Sequence, residues 1–262
     1  MKIIVCAKQV PDTNEVKLDP VKNTLIRDGV PSIINHEDKH AIEAALRLRA
    51  EFGGTVTVIS MGPPQADVVL REAMAMGADE GILLTDRAFA GADTWATSLT
   101  LAAAIRHIGD YDLIITGRQA IDGDTAQVGS QIAEHLDIPQ VTYVTDIKID
   151  GKKVTVNRLL EDGHEVIETS MPCVLTAIKE LNEVRFPSIG GIFSAYREKE
   201  VPLWTAATIG LTDLSKIGLD GSPTKVNKVF TPDPKGKGEM LEGSPKDVVK
   251  LLIEKLAAKK LL

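Results

Sequence analysis

Aromatic residues make up only 4% of the 262-residue chain, and no block of lysine or arginine offsets its formal charge of −7. Binding nucleic acid by neutralising phosphates is therefore disfavoured, and little is present on which single-stranded bases could stack. No apolar run approaches the roughly 20 residues that span a bilayer. The amino terminus, MKIIVCAKQV, leads into a polar stretch rather than a signal-peptide core, so a cytoplasmic protein is expected. There are two cysteines, Cys6 and Cys173. Both fall inside predicted strands, where a buried structural thiol is favoured over a nucleophile, a metal ligand or a disulfide. The five histidines are scattered, with no paired Cys/His spacing, so no metal site is expected. Absent too are G-x-G-x-x-G after the first strand and G-x-x-x-x-G-K-[ST] anywhere. Neither the common dinucleotide fingerprint nor a P-loop is present.

What is there is a regular alternation of strand and helix patterns, with 44% hydrophobic residues to supply a large core. Lys2 to Ala7 reads as a buried strand, followed by a polar loop and an extended excursion over Ile26 to Ile34. A helix carrying Ala41, Ile42, Ala45, Leu46 and Leu48 comes next, which Asn35 or Asp38 could cap. The pattern then repeats as strand Thr55 to Ser60, helix Asp67 to Met76, strand Gly81 to Thr85 and helix Ala92 to Ile108. Such alternation implies a parallel sheet with right-handed crossovers, whose ligands bind beyond the carboxyl ends of the strands at the switch point in strand order.

The stretch from Asp112 to Asp137 holds the centre of this pattern. Leu113-Ile114-Ile115-Thr116 is an apolar, β-branched run that Gly117 stops, and helical spacing returns at Val128, Ile132, Ala133 and Leu136. Between them Asp124 or Thr125 could cap the helix, and Gly123 could adopt a backbone conformation other residues resist. Free N–H groups in the first helical turn would suit a phosphate, although a capped turn with no ligand has the same pattern.

After Pro139, three alternating strands, Val141 to Ile149, Lys153 to Leu160 and Glu165 to Thr169, turn at Asp150-Gly151 and Asp162-Gly163. Cys173 to Ile178 adds a last apolar strand. The expected fold class is α/β, a Rossmann-like doubly wound and mostly parallel sheet with an antiparallel β extension and an extended C-terminal arm. Residues 1–186 form an α/β domain with the antiparallel extension in this reading, and 187–262 form an arm, broken by Gly190-Gly191, Pro202 and later prolines. Only Val248 to Leu262 in that arm regains an amphipathic helical pattern. An arm unable to bury its own apolar residues rests on a partner subunit or packs back on its own domain.

Gly117-Arg118-Gln119-Ala120-Ile121-Asp122-Gly123-Asp124-Thr125-Ala126-Gln127-Val128-Gly129 resembles the nucleotide loop of the electron transfer flavoprotein beta subunit. Val156-x-Arg158-x-x-Glu161-Asp162-Gly163-x-Glu165-x-Ile167 and Pro172-x-Val174-Leu175-Thr176 resemble that family's signature. Cys6-Ala7-Lys8, Asn35 to Asp38 and Leu181-Asn182-Glu183-x-Arg185-Phe186-Pro187 match as well, so the resemblance covers essentially the whole chain.

The resemblance implies a heterodimer whose alpha subunit carries an electron-transferring FAD. The beta subunit then binds a second adenine nucleotide between Ala7, Asn35, His36, Glu37, Asp38, Ser60 and the loop from Gly117 to Val128. In simpler members that nucleotide is a structural AMP. In electron-bifurcating members it is FAD, which takes hydride from NADH and divides the electrons between ferredoxin or flavodoxin and the alpha-subunit flavin. Val10-Pro11-Asp12, Asp122-Gly123-Asp124-Thr125 and Gly190-Gly191-Ile192-Phe193-x-Ala195-Tyr196-Arg197 resemble the bifurcating branch. Arg197-Glu198-Lys199-Glu200 departs from the lysine run of the AMP-binding forms. Arg118 is a candidate donor to phosphate or flavin, or else a partner of Asp122 or Asp124. Those two acids suit capping or ribose contacts, and no catalytic residue is expected, because hydride transfer is the cofactor's own chemistry. The segment around Arg185, Ile189, Ile192 and Tyr196 resembles the family's docking loop for an acyl-CoA dehydrogenase, with Ile189 as apolar anchor. Trp204, Phe193 and Tyr196 read as packing residues. An ATP-using enzyme or a ligand-sensing domain on a related fold remains the alternative of another class.

Overall fold

The computed structural model describes residues 1–12, 31–227, 236 and 238–262. They fall into two units, Met1–Val226 and Asn227–Leu262. In the first, the parallel core is built from β1 (Lys2–Cys6), β4 (Thr55–Met61), β5 (Glu80–Leu84), β6 (Leu113–Gly117) and β10 (Cys173–Ala177). The antiparallel extension comprises β7 (Gln140–Asp150), β8 (Lys153–Leu159) and β9 (His164–Ser170), with β7 joined parallel to β10. With the short β11 (Leu203–Trp204) at the other edge, the order is β11-β5-β4-β1-β6-β10-β7-β8-β9. The Rossmann-like class expected from the alternation is the fold the chain adopts.

Strand period decides the layers. Along β1, Ile3, Val5 and Ala7 point to one face and Ile4 and Cys6 to the other. The first face is covered by α1 (His36–Phe52) and α2 (Asp67–Met76), the second by α3 (Thr94–Ile108) and α4 (Val128–Leu136). Fully buried residues such as Ile42, Leu46, Leu70, Ile105 and Ile114 each contribute roughly 1.5–3 kcal/mol over an exposed state. Cys6 and Cys173 are buried free thiols, and burial pushes both above the ordinary thiol range.

Two expectations change. Of the excursion over Ile26 to Ile34, residues 26–30 lie outside the described residues, and what is described is β3 (Ser32–Ile34), paired antiparallel with β2 (Gln9–Pro11). Beyond Pro187 the chain is not extended at first but folds into α5 (Ile189–Arg197), packed on α2. A Cβ on Gly191 would stand 2.3 Å from the Ala75 carbonyl oxygen, so the doublet read as a break is what lets the two helices touch. β11 then pairs with β5, and Ala206, Ile209 and Ile217 are buried in the second core. In the unit Asn227–Leu262, α6 (Pro245–Ala258) begins at a Ser244 cap and buries none of its residues.

Candidate functional site

The order β4-β1-β6 puts the strand-order reversal between β1 and β6. Cys6 is in register with Ile59 on one side and Thr116 on the other. One residue further on, Ala7, Ser60 and Gly117 therefore stand side by side along the carboxyl edge. The Ser60 hydroxyl is buried without a hydrogen-bond partner among the described residues.

The start of α1 is wired into this edge. Asn35 stands at its N-cap, yet its side chain caps nothing there. Instead its Nδ2 donates to the Gln119 carbonyl at 2.8 Å and its Oδ1 accepts from the Ile121 amide at 3.1 Å. Asp38 is only 6% exposed and accepts from the Lys8 amide at 2.8 Å and the Gly117 amide at 3.1 Å. Burial pushes its carboxyl up to about 7, against the pull of those amides, of Asn35 and of the Lys8 charge. Glu37 accepts from the Gln119 amide at 3.0 Å and pairs with Arg118 at 3.0 Å, while His36 is exposed.

The loop from Arg118 to Gln127 departs from two expectations. Gly123 has no positive φ; the left-handed positions are Asp124 and Ala126, each at φ 53°. Nor does Asp124 or Thr125 cap α4, whose N-cap is Gln127 with no side-chain cap bond. Gly123 and Asp124 donate their amides to the Ala120 carbonyl, which closes a turn. By helix geometry the amides of Val128, Gly129 and Ser130 have no partner within α4, and they stand at the positive end of the helix, at the close of the loop that follows β6. Arg118 pairs with Glu37 rather than with Asp122 or Asp124, and its guanidinium lies 5.4 Å from the centre of the Tyr143 ring. Asp122 is taken by Lys8 at 2.6 Å, and Asp124 accepts from the Gln119 side chain. Chemically this is a ledge of backbone donors with its cations already paired, suited to phosphate of modest charge. A hollow of about 550 Å³ lined by Trp95, Leu99, His135, Lys216 and Pro223 lies elsewhere and includes none of these residues.

The electron transfer flavoprotein domain matches residues 22–208. A beta subunit of electron transfer flavoprotein from Thermoanaerobacterium thermosaccharolyticum is 60% identical over 256 residues, 98% of each chain. The chain belongs to the electron transfer flavoprotein beta-subunit family. Two further relatives are named for reductase complexes. The caffeyl-CoA reductase-Etf complex subunit CarD of Acetobacterium woodii is 57% identical over 264 residues, 100% of each chain. The acryloyl-CoA reductase electron transfer subunit gamma of Anaerotignum propionicum is 49% identical over 265 residues, 99% of each.

In this member of the family the docking candidates sit on α5 and the segment before it. Ser188 caps the helix by accepting from the Gly191 amide at 2.9 Å. Ile189 is 90% and Phe186 93% exposed, and Ile192, Phe193 and Tyr196 continue an outward apolar patch, so Phe193 is not the packing residue it was read as. Tyr196 lies 5.4 Å beneath the Arg71 guanidinium. Trp204 does pack, half-buried against the second core and edge-on to His107. Arg185 is exposed but tied to α1, its guanidinium on Glu43 at 2.6 and 3.1 Å. Arg71 and Tyr143 were missed by the sequence reading, and Lys8 stood there only within the Cys6-Ala7-Lys8 match, with no role. The signal that could have found α5 is the spacing of Ile189, Ile192, Phe193 and Tyr196, a helical i, i+3, i+4, i+7 series.

Proposed function

We propose that this chain is the nucleotide-holding subunit of a heterodimeric electron transfer flavoprotein of the bifurcating type, binding FAD at the carboxyl edge of β4, β1 and β6. The observation that carries the reading is the alignment of Ala7, Ser60 and Gly117 along one carboxyl edge, where the Ser60 hydroxyl has no partner among the described residues and α4 starts without a side-chain cap. When bound, FAD supplies the chemistry: it accepts hydride from NADH and passes electrons to ferredoxin or flavodoxin and, through the alpha-subunit FAD, to an acyl-CoA dehydrogenase. The chain's own part is to grip the phosphates with amides of the segment Thr125 to Ser130. It orients the adenosine between Ala7, Ser60 and the start of α1, and keeps the loop in one shape through the Glu37, Lys8 and Asn35 contacts. The relatives named for caffeyl-CoA and acryloyl-CoA reductase complexes support an acyl-CoA dehydrogenase as client. The exposed face of α5 around Ile189 is its docking surface in this reading, and the segment after 226 grips the alpha subunit.

The test is the nucleotide content of the purified heterodimer after denaturation, with NADH-dependent ferredoxin reduction measured in parallel. Two FAD per heterodimer are expected. One FAD and one AMP would keep the binding site and remove the NADH chemistry, and no adenine nucleotide beyond the alpha-subunit FAD would overturn the site.

A further inference from the structure

The geometry points to Asp38 as a positioning residue that pins together the two strand ends flanking the switch point and so sets the width of the nucleotide crevice. Its two oxygens are shared between the two sides. Oδ2 accepts from Lys8, the second residue after β1, and Oδ1 accepts from Gly117, the last residue of β6. Those strands are neighbours but belong to opposite halves of the doubly wound sheet, where no helix crossover ties them. A buried carboxylate with both oxygens on backbone donors bridges the two strand ends themselves, whereas Asn35, Glu37 and the exposed Lys8–Asp122 pair reach the later loop residues instead. Gly117 confirms how close the pin lies: a Cβ there would stand 2.2 Å from Asp38 Oδ1. Only 6% exposed, with a backbone amide on each oxygen, Asp38 acts through the two loops rather than by touching the ligand. From β1 and the turn after it, the Cys6 thiol and Lys8 face the carboxylate, and from β6 Thr116 and Gly117 bring no charge.

The role rests on the nucleotide reading given above, and the measurement separates the two. Flavin release from the heterodimer would be followed by fluorescence after dilution into excess AMP, for the wild type, Asp38→Asn and Asp79→Asn. Asp79 is the control, a carboxylate at the opposite, amino-terminal edge of the strands that accepts the Val56 amide at 2.8 Å and pairs with Arg49. An asparagine can accept at only one of its two positions, so Asp38→Asn is expected to release flavin at least about tenfold faster while Asp79→Asn is unchanged. Wild-type release should also speed up as pH falls from about 8 to about 6, because protonation removes one acceptor, and Asp38→Asn should show no such slope. Amide hydrogen exchange at Lys8 and Gly117 should rise in Asp38→Asn. If that variant does not fold, Gly117→Ala, which drives a methyl into the same carboxylate, is expected to give the same fast release. Equal release by Asp38→Asn and Asp79→Asn from a tightly binding wild type would overturn the pin alone. A wild type that retains no second nucleotide would overturn the nucleotide reading and the role with it.

Discussion

Asp38 and Glu43 are both buried on α1, yet they answer acid in opposite directions. Burial dominates at Asp38 and raises it to about 7, so the folded state takes up the proton more readily than the unfolded chain does. Its favourable contribution is full below the ordinary aspartate value and is lost as pH rises toward 7. At Glu43 burial pushes the same way, but hydrogen bonds from Arg185 and Arg47 outweigh it and hold the carboxyl below its ordinary value. That contribution is present above the ordinary glutamate range and disappears as pH falls through the folded value. Glu43→Gln is therefore expected to cost about 1–3 kcal/mol at neutral pH, in the range of hydrogen bonds to charged groups. The gap from wild type in urea denaturation should close on acidification. A gap of constant size at every pH would show that the ion pairs with Arg47 and Arg185 carry none of it. Neither residue's role was legible in the sequence. Asp38 stood in a recognised motif, but the donors it accepts from lie at the ends of two strands distant in the chain, and periodicity carries no trace of which amide a carboxylate will meet.

Whole elements were read far better. The five strands of the parallel core, unlike the short β11, were found within a residue or two, because a buried apolar run between helical patterns has few alternatives in this alternation. The antiparallel extension followed from its two Asp-Gly turns. α5 was missed for a physical reason. Gly190-Gly191 weakens helix propensity by roughly 1 kcal/mol per residue, and what repays that is contact with α2, which local sequence cannot show. Gly191 has no positive φ, so only space is at stake. Gly191→Val places a branched side chain against the Ala75 carbonyl and should push α5 off α2, dragging on the Arg71 bond to the Ala195 carbonyl at 2.6 Å. The expected cost is about 1–3 kcal/mol of overpacking. Binding to an acyl-CoA dehydrogenase, read by surface plasmon resonance, should weaken about tenfold as hot spots shift from their places, with flavin content unchanged. Unaltered binding would mean that the apolar patch around Ile189 is not read through the seat of its helix.

At the scale of the whole molecule, the two units differ in how they satisfy themselves. Met1–Val226 has two packed cores, one on each face of its sheet. The described residues of Asn227–Leu262 form none: α6 is 14 residues long, exposes Val249, Leu251, Leu252 and Ile253, and buries no side chain. A lone helix of this length is marginal in water, and cap and propensity do not offset that. The apolar stripe therefore needs a surface to cover it, and the alpha subunit is the surface proposed. Deleting 227–262 should then leave the melting temperature of the isolated chain unchanged, because no core is cut. Heterodimer affinity, measured by analytical ultracentrifugation, should fall by about a hundredfold or more, the loss expected when several apolar anchors are removed from an interface. Were the truncated chain to melt well below the full one while pairing undiminished with the alpha subunit, the segment would be part of this chain's own fold, and what grips the partner would have to be sought on the sheet's exposed edge at β9.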